Sequence, residues 1–269
     1  MANERKTVFA VLGADARQRA AADRLRQRGW QVVGGERLAA ADVILLPMPL
    51  GGESESLTRL LAGAKPGVVA FGGRVSPAAA QAAAQAGMPL RDYLAREELA
   101  VLNAIPTAEG CIALLLQNRT RTLWHSPVLV LGYGRCGAAL AVRLAALGAR
   151  VTVAARSPGQ RAQAESRGLN ACGPEELTYR LPGFETVVNT IPAPMLGRRE
   201  LAALAPGSLV IDLASLPGGV DLEAAEELGI RAIRAIRALS LPARCAPVTA
   251  GEFVADTVLA MLCEEGLCV

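Results

Sequence analysis

An apolar strand, a Gly-x-Gly-x-x-Gly turn and a helix follow one another without a break in residues 127–156, and no other stretch constrains the fold as much. Residues 128–131 supply the strand, Gly132, Gly134 and Gly137 the turn, and residues 138–147 repeat apolar side chains at helical spacing before Gly148 stops the helix. Each glycine answers a separate steric need. Gly132 makes the tight turn, Gly134 lets backbone approach a pyrophosphate, and Gly137 lets helix and strand pack closely. A second strand over residues 150–154 completes a βαβ unit of the dinucleotide-binding kind. Phosphates at the helix start would meet unpaired N–H groups and the positive end of the helix dipole.

An NAD site usually carries an acidic residue about 20 positions beyond the glycines, where its carboxylate binds the ribose 2′-hydroxyl. Here the second strand runs into Ala155-Arg156-Ser157, with Arg156 24 positions after Gly132. A guanidinium and a hydroxyl suit a 2′-phosphate, so charge favours NADP, with NAD second. The plain alternative for Arg156 is a solvated loop arginine.

The chain has 269 residues, 52% of them hydrophobic, enough for a sizeable core and two domains. Its net charge is only +3, its basic residues are scattered and 3% of it is aromatic, a pattern that argues against a nucleic-acid surface. No apolar run approaches the roughly 20 residues of a membrane span. The amino terminus leads into a strand without a signal-peptide core, so a cytoplasmic protein is expected. Cys111, Cys136, Cys172, Cys245, Cys263 and Cys268 show no C-x-x-C spacing, so neither a metal site nor a disulfide framework is expected. His125, the only histidine, stands just before the motif strand, where a structural or solvent-facing role is favoured.

The first hundred residues read as another α/β layer. Strands are expected over 7–12, 30–33, 43–46 and 68–71, with a turn at 13–17 and an arginine-rich helix over 18–28. Only Gly13 marks the first turn, so no second dinucleotide site is read there. Residues 107–121 read as a linker helix with Thr107 as its cap after Pro106, later strands fall at 186–191, 208–213 and 231–236, and a closing helix at 248–262. The fold class is α/β, two doubly wound Rossmann-like domains with a cleft between them: 1–105, completed by 248–269, and 106–247.

Seven motifs extend along nearly the whole chain. They are Gly13-Ala-Asp-Ala-Arg-Gln18, Asn103-Ala-Ile-Pro-Thr-Ala-Glu-Gly110, Leu131-Gly-Tyr-Gly-Arg-Cys-Gly137, Ala154-Ala-Arg-Ser157, Asn189-Thr-Ile-Pro192, Ile211-Asp-Leu-Ala-Ser215 with Pro217-Gly-Gly219, and Ala246-Pro-Val-Thr-Ala-Gly251. In order and spacing they resemble the A subunit family of dipicolinate synthase. The family more often has glycine at Ala14, and Leu-Pro-Gly where Leu241-Pro242-Ala243 stands; neither departure removes a reacting group.

The resemblance implies oxidation of a dihydrodipicolinate-type precursor of the lysine pathway to pyridine-2,6-dicarboxylate during spore formation, with hydride passing to NADP⁺. It implies a small dicarboxylate substrate and a partner, the dipicolinate synthase B subunit, that resembles flavoproteins; a homo-oligomer is a further expectation. A dicarboxylate needs cations, and Arg17 is the favoured carboxylate anchor. Asp15 either orients that arginine or accepts a proton, or serves as a helix N-terminal acid. Asn103, Thr107 and Glu109 form a second candidate group, with a helix cap and a first-turn acid as the alternatives for the last two. Around ribose and nicotinamide stand Thr190, Ile191, Pro192, Asp212, Leu213, Ala214 and Ser215, of which Ser215 bonds the carboxamide or a substrate carboxylate. Asn189 and Asp212 alternatively satisfy loop N–H groups. Arg135 and Cys136 belong to the cofactor turn; Cys136, at a helix start that lowers thiol pKa, reads as a packing residue. Two other function classes stay open: another NADP-dependent dehydrogenase of small keto, hydroxy or amino acids, and a non-catalytic dinucleotide-binding subunit.

Overall fold

Short strands that are apolar on both faces need cover on both sides, and parallel α/β sheets provide it. The computed structural model of the protein describes residues 7–48, 50, 58, 62–235 and 240–267. They divide into two units, Met1–Asn103 with Ala246–Val269, and Ala104–Cys245. The amino-terminal residues 1–6, Ile236 at the end of the last expected strand, and Cys268 lie outside the described residues.

In the first unit β1 (Val8–Val11), β2 (Gln31–Val33), β3 (Val43–Leu45), β4 (Val69–Gly72) and β5 (Leu90–Asp92) form a parallel sheet in the order β2-β1-β3-β4-β5. β5 is absent from the sequence reading because Leu90-Arg-Asp92 offers no apolar run; it pairs at the edge, Leu90 beside Ala70. Asp15 caps α1 (Ala16–Gln27), which starts two residues before the expected helix, and Ser76 with Pro77 opens α2 (Pro77–Gln85).

The sequence reading of a helix capped by Thr107 is corrected. A single helix, α3 (Glu97–Gln117), begins ten residues earlier and carries Pro106 in its interior. Proline removes one backbone donor, but Leu99, Ala104, Ala108, Cys111 and Leu115 are buried along the helix, and their packing outweighs one lost bond. Contrary to the expectation that no apolar stretch reaches span length, α3 is long and apolar enough to cross a membrane by length and composition; its buried residues belong to the unit cores, Leu99 in the first and Ala108, Cys111 and Leu115 in the second.

In the second unit β6 (Pro127–Leu131), β7 (Arg150–Ala154), β8 (Asn170–Cys172), β9 (Thr186–Asn189), β10 (Leu209–Asp212) and β11 (Arg231–Arg234) form a parallel sheet ordered β11-β10-β9-β6-β7-β8. Its register aligns Cys172, Ala154, Leu131, Asn189, Asp212 and Arg234 in one row across the carboxyl ends. Helices α4 (Arg135–Ala146) and α5 (Pro158–Glu165) cross between strands, with short helices α6 (Leu177–Arg180), α7 (Arg198–Ala202), α8 (Leu222–Glu227) and α9 (Leu241–Cys245) in the later connections.

From the far end of the chain α10 (Pro247–Glu264) returns to the first unit. Val254, Ala255, Val258 and Leu262 join Phe9, Leu25, Phe71 and Tyr93 in one core cluster. Gly251 makes the approach possible, since a Cβ there would lie 2.2 Å from the Arg17 carbonyl oxygen and 2.7 Å from Ala20 Cβ. Asp256 adds ion pairs to Arg24 at 2.8 Å and Arg28 at 3.2 Å. Cys263 is disulfide-bonded, which the missing C-x-x-C spacing did not signal. A side chain at Gly251 has to push two helices apart, so Gly251→Val is expected to cost about 3 kcal/mol. Urea unfolding checks this as a lower midpoint at unchanged slope.

Candidate cofactor and substrate residues

The glycine turn is held by backbone. Gly132 has φ +92°, and a Cβ there would lie 2.6 Å from Thr190 Oγ1 and 2.8 Å from Ile191 Cγ1. At Gly137 a Cβ would lie 2.2 Å from the Gly132 carbonyl oxygen, so helix and turn touch main chain to main chain. Gly134, the N-cap of α4, is different: nothing lies within 4 Å of its absent Cβ, and the residue is exposed. The turn is therefore closed behind and open in front, a cradle that fits the pyrophosphate of a dinucleotide at the helix start. Thr190 braces it from behind, its hydroxyl donating to the Leu131 carbonyl at 2.7 Å.

Arg135 is exposed in the first turn of α4, and Ile191 is half-buried beside Gly132, while Pro192 is exposed. Burial pushes the Cys136 thiol up, with the Arg135 charge opposing, so the expected lowering at a helix start is corrected and the thiol packs as a neutral group. Tyr133, buried within the motif, was not singled out from sequence; the Arg167 guanidinium lies 5.9 Å from its ring centroid and 3.3 Å from its hydroxyl. Nothing in the spacing announces that pair.

After β7, Ala155 is buried while Arg156 and Ser157 are exposed. Ser157 caps α5, its hydroxyl oxygen accepting from the Gln160 N–H at 3.4 Å. Arg161, also missed, donates to the carbonyls of Ala155 at 2.8 Å and Arg156 at 3.0 Å and fixes this loop. No carboxylate stands between β7 and Glu165.

Asn189 and Asp212, neighbours in the carboxyl-end row, are fully buried. Asn189 Nδ2 donates to Asp212 Oδ1 at 2.9 Å and to the Ile191 carbonyl at 3.0 Å, and Asn189 Oδ1 accepts from the Ile191 N–H at 3.1 Å. Asp212 accepts from the N–H groups of Ala214 at 3.3 Å and Gly219 at 3.0 Å. Both side chains thus clasp the loops after β9 and β10, leaving Ser215 exposed while Leu213 and Ala214 are buried.

In the first unit, Arg17 is buried against Asp15, with Nη2 2.6 Å from Oδ2, and the same nitrogen donates to the Met48 carbonyl at 3.0 Å. Asp15 also accepts from the backbone N–H groups of Arg17 and Gln18, so it caps the helix and orients the arginine at once. The pair lines a small cavity with Gln18, Met48, Tyr93 and Val254. Burial pushes the Asp15 carboxyl up, but the Arg17 hydrogen bond and charge and the two N–H groups outweigh it, and the net shift is down. Tyr93, nearly fully buried, has its hydroxyl held well above the usual range, chiefly by burial.

The other candidates are not gathered together. Four positions apart on α3, Asn103 and Thr107 share a helix face, but Glu109 points to another and sits exposed, 3.7 Å from Arg143. Thr107 and Glu109 are mid-helix, so neither the cap nor the first-turn acid applies. His125 packs on Trp124 at the amino end of β6, away from the carboxyl-end row.

Residues 112–216 match the model of the D-isomer specific 2-hydroxyacid dehydrogenase NAD binding domain. Over 182 residues, 68% of this chain, the sequence is 40% identical to the A subunit of dipicolinate synthase from Bacillus subtilis, and the alignment spans 60% of that relative's length. The crystal structure of the dipicolinate synthase A chain from Bacillus subtilis superposes with a TM-score of 0.82 at 31% identity, covering 97% of both chains. The chain belongs to the A subunit family of dipicolinate synthase. A second family member, from Bacillus halodurans, superposes with a TM-score of 0.83 at 28% identity over 95% of this chain and 97% of that one. The second unit of this dipicolinate synthase family member is thus a dehydrogenase-type domain built for a nicotinamide dinucleotide.

Gly137→Ala is expected to lose about 3 kcal/mol of stability and dinucleotide binding together. Gly134→Ala, with open space in front of it, is expected to lose less than about 1 kcal/mol yet still weaken binding. Calorimetric titration with NADP(H), read beside urea unfolding, separates the two. The lowered Asp15 carboxyl gives a pH signature: its ion pair adds stability above the ordinary value of 3.8, and that stability is lost as pH falls through the lower folded value. The stability difference between wild type and Asp15→Asn, measured by urea unfolding, is expected to be full at neutral pH and to close below about pH 4.

Proposed function

We propose that the chain is the NADP-dependent subunit of a dipicolinate synthase, oxidising a dihydrodipicolinate-type precursor from the lysine pathway to pyridine-2,6-dicarboxylate in the cytoplasm of a spore-forming cell. The observation that carries this reading is 31% identity sustained over 97% of both chains with a dipicolinate synthase A chain. A shared fold alone fixes no substrate, but identity sustained at this level along both chains favours a common chemistry.

When bound, NADP⁺ supplies a hydride acceptor, so that the dihydropyridine ring loses one hydride and one proton and the products are dipicolinate, NADPH and H⁺. The chain's own residues bind and orient. The open face at Gly134 and the start of α4 take the pyrophosphate, and Arg156 with Ser157 takes the 2′-phosphate. In the first unit Arg17, held by Asp15, takes a substrate carboxylate. Ser215, exposed after β10, donates to the carboxamide or a carboxylate. Because the product is aromatic, proton loss needs no strong base.

The dehydrogenase domain match favours a second reading, oxidation of a small hydroxy acid. That chemistry calls for a base near the hydroxyl, and the one histidine lies at the amino end of β6. The relative's designation as one lettered subunit of a synthase supports a partner subunit for this chain, and the flavoprotein-like character of that partner is what the family resemblance implies.

Co-expression with a candidate second subunit, supplied with freshly generated precursor and either NADP⁺ or NAD⁺, tests the proposal. Dipicolinate is expected with matched NADPH, and Arg156→Asp is expected to weaken NADP⁺ use by roughly 30-fold while sparing NAD⁺. A complex that binds NADP and forms no dipicolinate sinks the synthase reading.

A further inference from the structure

We propose that Arg234, which no motif signals, is a carboxylate-binding residue of the second unit, holding an anionic group of the substrate at the nicotinamide end of the dinucleotide. The inference rests on the synthase reading and adds to it a residue and a ligand chemistry.

Arg234 is the last residue of β11 and stands beside Asp212 in the carboxyl-end row. Its Nε is buried and has no hydrogen-bond partner, and its closest acid, Asp212 Oδ2, is 4.0 Å away. That distance gives charge attraction without a hydrogen bond. Asp212 in turn is already bonded to Asn189 Nδ2 and to the N–H groups of Ala214 and Gly219. The side chain of Arg234 is 31% exposed, so it is neither a solvated surface arginine nor a buried paired one.

Several other arginines of the unit are engaged by protein acceptors, while Arg156 is exposed to solvent. Arg119 reaches Ser126 and Glu185, Arg161 two carbonyls, Arg231 Asn118, and Arg244 the Ala235 carbonyl. Among the described residues Arg234 donates to none. A half-desolvated guanidinium without an acceptor is unfavourable unless a ligand supplies one, and a planar carboxylate matches its fork.

The surrounding backbone keeps it accessible. Gly218, at φ +90°, is so close that a Cβ there would lie 3.1 Å from Arg234 Nη2 and 2.4 Å from Asp212 Oδ2. The Gly218 N–H closes a turn onto the Ser215 carbonyl at 2.8 Å, bringing the exposed Ser215 loop beside the arginine. The sheet order decides which anion this is. Arg156 follows β7, the pyrophosphate turn follows β6, and β11 lies three strands from β6 on the other side, roughly 14 Å at 4.8 Å per strand. That is beyond reach of a phosphate at the start of α4 and on the half of the sheet where the nicotinamide lies. A substrate carboxylate is the anion that belongs there.

The test is calorimetric titration of the NADP-loaded full chain with pyridine-2,6-dicarboxylate, for wild type, Arg234→Gln and Arg234→Lys, beside NADP affinity and thermal unfolding. Arg234→Gln is expected to weaken dicarboxylate binding by roughly 30-fold with NADP affinity and melting temperature unchanged, and Arg234→Lys, which keeps the charge facing Asp212, to fall between. Dicarboxylate binding unchanged in Arg234→Gln overturns the inference while leaving the synthase reading in place. So does a parallel loss of NADP affinity and melting temperature in Arg234→Gln that Arg234→Lys restores, since that is the signature of a cation needed only to balance Asp212. If wild type neither binds the dicarboxylate nor forms it, the synthase reading fails and the inference with it.

Discussion

Every strand pairing among the described residues is parallel, and the placement of the functional groups follows from that constraint. Parallel strands need crossover connections, so within each sheet all carboxyl ends and the helix starts that follow them fall on one side. In the second unit this puts the glycine turn, the Arg156 loop, the Thr190 brace and the Ser215 turn at one edge of the sheet although they are far apart in sequence. The polar residues of that edge, Asn189 and Asp212, sit in register on adjacent strands and bond to each other. An antiparallel insertion anywhere in the sheet would send one of these groups to the opposite side.

Close approach of main chain is the second device, and it recurs in both units. Gly137 meets the Gly132 carbonyl in one, and Gly251 meets the Arg17 carbonyl in the other. At Gly251 the consequence reaches beyond packing, because the carbonyl it touches belongs to the residue whose guanidinium Asp15 holds. The carboxyl-terminal helix thus fixes the first turn of α1 and, through it, the orientation of Arg17. Asp256, paired with Arg24 and Arg28, joins the same two helices through partly exposed ion pairs that add little stability.

The parts legible in the sequence are those in which one residue type answers one local demand. The three glycines of the turn, the missing acid after β7 and the apolar strands all follow from local backbone and charge rules. What stayed hidden depends on partners distant in sequence. β5 is a strand because Leu90 finds Ala70, not because Leu90-Arg-Asp92 has a pattern. The Thr107 cap failed because Pro106 suggested a helix boundary that buried Leu99, Ala104 and Ala108 override. Once the helix is continuous, Glu109 parts from Asn103 and Thr107 by simple angular spacing. Arg161 and Arg167 were invisible because the carbonyls and the Tyr133 ring they engage are set by tertiary placement.

Two arginines, Arg17 and Arg234, are each held near one aspartate, and the two arrangements differ in a way that bears on function. Arg17 hydrogen-bonds to Asp15 and to the Met48 carbonyl, so its orientation is set before any ligand arrives. Buried ion pairs of this kind are weak contributors to stability, because desolvation offsets much of the attraction, and their use lies in fixing geometry. Arg234 is held by charge alone, at 4.0 Å, with Asp212 already bonded elsewhere. Gly218 approaches Arg234 closely, since a Cβ there would lie 3.1 Å from Nη2. The hydrogen-bonded guanidinium of Arg17 has a preset direction, whereas that of Arg234 balances the Asp212 charge without a hydrogen-bond geometry of its own.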